Sequence, residues 1–225
     1  MNISQFKNND VIKLEDVSFG YDKDIFNNLN ITIKTNDRIV LVGPNGIGKT
    51  SFFKLCSEKI NPKSGYVIKN DKLRVGYYYQ EIIDNLPLDK TPIEYLQSLD
   101  NEIDSGKCRG ILGKLGLRKN EISDYPTIKI KNLSGGQKAR LSFASLQILE
   151  PHLILLDEPS NHLDIESIEG LINGINNFNG AIVIITHDLY LIENINNSSI
   201  YELKNKNINK FYGEFNDYCD HILNN

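Results

Sequence analysis

Gly43-Pro44-Asn45-Gly46-Ile47-Gly48-Lys49-Thr50 places glycine, lysine and a hydroxyl residue at every fixed position of the phosphate-binding pattern G-x-x-x-x-G-K-[ST]. These residue types suit the handling of anions. Glycines at 43, 46 and 48 let successive backbone N–H groups turn toward phosphate oxygens, with the positive end of a following helix behind them. Lys49 can reach the terminal phosphates of a nucleotide, and the Thr50 hydroxyl can ligate Mg2+. The competing reading is a glycine-rich turn that binds nothing. Against it stands the setting: Arg38-Ile39-Val40-Leu41-Val42 reads as a buried strand and Ser51-Phe52-Phe53-Lys54-Leu55 as a helix, the order that the loop requires.

Other stretches carry further candidate chemistry. Leu153-Ile154-Leu155-Leu156 is an apolar strand ending in Asp157-Glu158-Pro159, and ligands of parallel α/β sheets gather at the carboxyl ends of strands. Pro159 marks the strand end and lets both carboxylates reach one site; a charged strand cap is the plainer alternative. Ala181–Thr186 is another buried strand, delivering His187 where it can touch a terminal phosphate or lie in a surface loop. Ser134 and Gln137 have capping-box spacing, and Gly135-Gly136 between them weaken a helix start unless something approaches its backbone, which suggests a second anion-binding terminus. Tyr21, in the turn after Phe19-Gly20, is either an adenine stacker or a tyrosine closing a hairpin over the core. His152, His162 and His221 have no mutual ligand spacing.

The elements that must position these residues read as an α/β core with a helical insertion. Strands are expected at Val11–Val17, Ile31–Lys34, Gly65–Ile68 and Leu73–Tyr79, the last delivering Gln80. From about 84 to 132 the period turns helical, with Thr91-Pro92 opening one helix and Lys107–Leu117 forming another interrupted by Gly110, Gly113 and Gly116. Lys138–Leu149 is a helix, Ile200–Leu203 and Ile208–Tyr212 a closing hairpin, and 214–223 an amphipathic tail. The 225 residues suit one nucleotide-binding unit, divided at about 1–83, 84–132, 133–200 and 201–225. No apolar run approaches the roughly 18 residues of a membrane span, so any membrane partner is another chain. Residues 1–10 are polar and Asn-rich, unlike a signal peptide, and the scattered Cys56, Cys108 and Cys219 fit a reducing cytoplasm. The net charge of -4 argues against a free-standing nucleic-acid binder, and the richness in Asn, Lys and Ile reads as compositional drift.

The phosphate loop, Gln80, Leu133-Ser134-Gly135-Gly136-Gln137, Leu153–Glu158 and His187 occur in the order and approximate spacing of an ATP-binding-cassette ATPase domain, which the chain resembles over nearly its whole length. Asn161-His162-Leu163-Asp164 and the continuation Lys138-Ala139-Arg140 resemble the F subfamily, whose members are tandem-cassette proteins associated with ribosomes and translation. Phe211–Tyr218 resembles the subfamily's last segment, and Ser160, in place of a more usual Thr, together with Asp217–Leu223 is similar to the C-terminal cassette of a fungal translational regulator of that subfamily. Thr186 departs from the more usual Ser before the histidine.

The resemblance implies a RecA-like core, an antiparallel β lobe carrying Tyr21 and a small helical lobe carrying the Leu133–Gln137 signature. ATP is then expected between two cassettes, the P-loop of one facing the signature of the other. The implied nucleotide contacts are Tyr21, Gly43, Pro44, Asn45, Gly46, Ile47, Gly48, Lys49, Thr50 and Ser51, with Ser134, Gly135, Gly136 and Gln137 serving the opposing site. Glu158, Gln80, His187 and Lys49 are the implied catalytic set, and Thr50, Gln80 and Asp157 the implied Mg2+ set. The implied partners are a second cassette, of the same longer chain or of an ATP-dependent dimer, and the ribosome through the full-length protein. A nucleotide-binding subunit of a membrane transporter, and a slow nucleotide-gated binding module, are the alternatives.

Overall fold

The structure, a computed structural model, describes residues 9–70, 72–78, 85–118, 124–161, 163–213 and 215–223. In chain order the elements are β1 (Asp10–Gly20), β2 (Asp24–Lys34), β3 (Arg38–Val42), α1 (Lys49–Cys56), β4 (Ser64–Lys69), β5 (Val75–Tyr78), α2 (Pro92–Leu99), α3 (Ser105–Lys114), α4 (Gly135–Ile148), β6 (Leu153–Asp157), α5 (Ile165–Asn176), β7 (Ala181–Ile185), α6 (Leu189–Glu193), β8 (Ser199–Lys204), β9 (Asn207–Lys210) and α7 (Phe215–Leu223). The expected strands and helices are present with shifted ends. β2 is longer than its apolar stretch at 31–34, because Phe26 and Leu29 are buried positions in a run that also carries Asp24, Asn27, Asn28 and Asn30.

One sheet has the order β5-β6-β7-β3-β8-β9, parallel except for β9, which closes a hairpin with β8. Asn205 and Lys206 in its two-residue turn both have positive φ, 53° and 62°, matching the twist of the flanking strands. Alternate residues of the central strands serve opposite cores. Val40, Ile154, Leu156, Ile182 and Ile184 pack with α4, α5 and the helices of the 92–114 segment; Ile39, Leu41, Leu155, Val183 and Ile185 pack with Phe52, Phe53 and Leu55 of α1 and with the antiparallel lobe. Burial on both faces explains why these strands read as continuous apolar runs.

The second sheet, β2-β1-β4, is antiparallel and shares the α1 side of the core. β1 runs past its expected end to Gly20, so Tyr21 opens the turn. It does so through bulges. Asp16 has φ 48°; its N–H donates to Asn30 Oδ1 at 3.0 Å, and Asn30 Nδ2 donates to Asp16 Oδ1 at 2.8 Å. Asn30 therefore has a structural task that a reading of the asparagines as drift does not capture. Gly65 of β4 faces this bulge with φ 80°, and a Cβ there would lie 2.3 Å from the Asp16 carbonyl oxygen. Gly65→Ala is expected to cost about 2–3 kcal/mol, from strain plus a clash with backbone, measured by urea unfolding. Unchanged stability would show that the bulge is not held rigidly.

Candidate phosphate-binding site

The paired strands end level where chemistry is expected. Leu41 of β3 and Asp157 of β6 both lie in register with Ile185 of the strand between them, β7. The loop after β3, the carboxylates ending β6 and the His187 that follows β7 therefore issue from one carboxyl edge.

In the loop, Gly43, Gly46 and Gly48 have φ 149°, 78° and 122°. Gly48 is required twice, since a Cβ would also lie 2.2 Å from Ile25 Cγ2 of the hairpin strand lying over the loop. As the N-cap of α1, Gly48 offers no side chain to the first-turn amides, which leaves that terminus suited to an anion. Lys49 is only 8% exposed, and its ammonium donates to the Gly43 carbonyl at 2.5 Å and the Pro44 carbonyl at 3.2 Å, with His187 Nε2 at 3.3 Å. Burial lowers the Lys49 pKa, against the opposing pull of Glu158 and Asp157.

The Thr50 hydroxyl donates to Asp157 Oδ2 at 3.1 Å. Glu158 follows at φ 47°, while its N–H still bonds the Ile185 carbonyl at 2.8 Å. The chain thus turns at Glu158 itself, not at Pro159. This left-handed step aims the second carboxylate to the same side as the first, with Glu158 Oε1 3.5 Å from His187 Nε2. His187 can accept from Lys49 through a bare Nε2 or, once protonated, donate to Glu158. Burial raises the pKa of both Asp157 and Glu158. The Thr50 bond and Lys49 oppose it at Asp157, and His187 and Lys49 oppose it at Glu158. Hard oxygen donors on Thr50 and Asp157, with no cluster of three His, Cys, Asp or Glu among the described residues, fit Mg2+ shared with phosphate better than an all-protein metal cage.

The other expected residues lie apart from this group. Ser134 caps α4: its Oγ accepts from Gln137 N at 3.2 Å and its N–H donates to Gln137 Oε1 at 2.9 Å. Gly135 is open, whereas Gly136 is buried and a Cβ there would lie 2.1 Å from Ser167 Oγ. Among the described residues no hydrogen bond joins Ser134–Gln137 to the phosphate loop. Tyr21 is 58% exposed and edge-on to Phe19 at 5.1 Å, so it does not close over the core. Ser51 is buried in α1. Gln80 and His162 lie outside the described residues. Ile25 over Gly48, and Arg140 against Ser167 at 3.2 Å, are contacts between distant segments that no local pattern announces.

A phosphate loop at the carboxyl edge of a parallel sheet, with an added antiparallel lobe and helical lobe, defines a P-loop nucleotide-binding domain. The sequence profile of the ABC transporter family matches residues 26–161, and the chain belongs to that family. It is similar to Protein GCN20 of Saccharomyces cerevisiae, 36% identical over 221 residues that make up 95% of this chain and 28% of that protein. It is also similar to ABC transporter F family member 3 of Arabidopsis thaliana, 40% identical over 210 residues, 92% of this chain and 29% of that protein. The chain thus spans less than a third of the length of these relatives. In fold it matches the dimeric, ADP- and phosphate-bound structure of the ATP-binding cassette MJ0796, with TM-score 0.69 and 23% identity over 91% of this chain and 100% of that one. No helix among the described residues is long and apolar enough to cross a membrane.

A Glu158 carboxyl held above its ordinary pKa by burial implies that its ionised form weighs against folding. That cost is present above the folded-state pKa and absent below the unfolded value of about 4.3. Glu158→Gln is therefore expected to stabilise the chain at pH 7, with the gain disappearing below about pH 4. Thermal unfolding at the two pH values checks this, and a Glu158→Gln chain less stable at pH 7 would contradict it.

Proposed function

We propose that this chain is a Mg2+-dependent ATPase cassette, one of two in a longer cytoplasmic protein that acts in translation. The observation that carries the ATPase reading is the convergence of Lys49, the Thr50–Asp157 pair and the Glu158–His187 pair at one sheet edge. Lys49 exchanges its bonds to the loop carbonyls for terminal phosphate oxygens, a stronger charge-assisted pairing. Glu158, with Gln80, orients and deprotonates the attacking water, and its raised pKa makes it a better base than an ordinary glutamate. His187 stabilises charge on the terminal phosphate and holds Glu158 in place. Thr50, Asp157 and Gln80 would hold Mg2+, which supplies charge neutralisation between the phosphates. Tyr21, with an exposed ring face, stacks on adenine.

The Ser134–Gln137 terminus sits on a different helix from the phosphate loop, and it serves the site of a second cassette. The paired state of the MJ0796 cassette supports closure of two cassettes around nucleotide. The short span of this chain against its relatives supports a parent with more than one cassette, in which the 84–132 segment is the helical lobe. The translation role rests on the F-family relatives and on Ser160-Asn161-His162-Leu163-Asp164, a stretch that nucleotide binding alone does not demand.

Glu158→Gln should retain ATP binding and lose on the order of a hundredfold or more in single-turnover hydrolysis. Turnover near the parent rate would remove Glu158 from the role of base. In sedimentation, ATP should pair the Glu158→Gln chain with a second cassette, and Ser134→Arg should abolish pairing; pairing indifferent to both would refute the trans role of the signature. Full-length Glu158→Gln protein should cosediment with ribosomes in ATP and not in ADP. Copurification with a membrane complex instead would favour a transporter subunit.

A further inference from the structure

Arg140 sits six positions along α4 from Ser134, about 9 Å of helix from the signature terminus. Its Nε is a buried side-chain nitrogen without a hydrogen-bond partner among the described residues. A long side chain that leaves a charged donor unpaired in the interior is held there by its surroundings, because a solvated rotamer would otherwise satisfy it. Nη2 donates to Ser167 Oγ at 3.2 Å. The Ser167 hydroxyl in turn donates to Asp164 Oδ1, and the same oxygen accepts Ser167 N–H at 2.8 Å as the cap of α5. These Ser167 bonds, with a smaller contribution from Arg140, hold the Asp164 carboxyl below its usual pKa range.

The fit is set by missing side chains. Gly116, at φ 78°, would place a Cβ 2.8 Å from Arg140 Nη1, and Gly136 would place one 2.1 Å from Ser167 Oγ. The cavity beside the guanidinium, bordered by Tyr78 and Phe143, holds about 10 Å³, too little for the side chain to swing into. Between Asp164 and Glu158, Leu163 N–H donates to the Ser160 carbonyl at 3.1 Å and Asn161 N–H to the Glu158 carbonyl at 3.2 Å.

We propose that Arg140 is a positioning residue, a latch through Ser167 and Asp164 that makes the Ser134–Gln137 terminus and the turns after Glu158 move as one piece. Its effect on hydrolysis rests on the ATPase reading above: the terminus offered to a second cassette and the carboxylate of the chain's own site are then mechanically joined. The test is a double-mutant cycle of Arg140→Met and Ser167→Ala in the full-length protein, read two ways. Amide hydrogen exchange without nucleotide should rise at 134–138 and 164–168 in both variants. kcat for ATP should fall about ten- to a hundredfold with KM within about twofold, and the double variant should be no worse than the worse single one. If Arg140→Met does not fold, Ser167→Ala carries the same readouts. Exchange that rises across the whole chain, exchange confined to one of the two segments, or losses in kcat that multiply would each overturn the latch. Full-length protein without ATP hydrolysis would overturn the ATPase reading instead, and the exchange pattern would still decide the latch.

Discussion

The level carboxyl edge of β6, β7 and β3 is the constraint on which the site depends. Asp157 and Leu41 are both in register with Ile185, so residues more than a hundred positions apart in sequence emerge side by side. That register is fixed by burial on both faces. A slip of one residue would exchange the side chains facing α1 for those facing α4 and α5 along the whole strand. The apolar core therefore sets the geometry of the polar site.

What the core positions is itself costly. Burial works against the charge on Lys49, Asp157 and Glu158 alike, and Glu158 also holds a left-handed backbone. The three groups partly offset one another, yet each remains shifted in the direction that disfavours its ionised form. Strain and uncompensated charge of this kind persist only when the surrounding fold over-determines them. A polyanion with a divalent cation would supply charged acceptors for Lys49 in place of the neutral Gly43 and Pro44 carbonyls, and a counter-charge for the carboxylates.

Much of this was legible in the sequence where the signal is local. The loop at 43–50 declares its glycines and lysine, and the strand at 153–157 declares double burial by having no polar alternation. The capping box of Ser134 and Gln137 is a spacing rule, and the structure contains both of its bonds. What was not legible depends on distant chain. The turn at Glu158 is paid in backbone strain that no residue type announces, and the Asp16 bulge needs Asn30 from the neighbouring strand. Gly136 reads as a place of close backbone approach, and one such approach comes from Ser167 of the same chain, which only packing reveals. The helix at 105–114 ends before Leu117 because Gly116 takes φ 78° beside the Arg140 guanidinium.

The central claim is that the group around Lys49 is a nucleotide phosphate site. Calorimetric titration of Mg-ATP into the parent chain and into Lys49→Ala tests it most directly. The account predicts saturable binding to the parent, weakened about a hundredfold in Lys49→Ala, as expected for loss of charged hydrogen bonds worth roughly 3 kcal/mol. Equal affinity for both chains, or no binding to the parent, would contradict it.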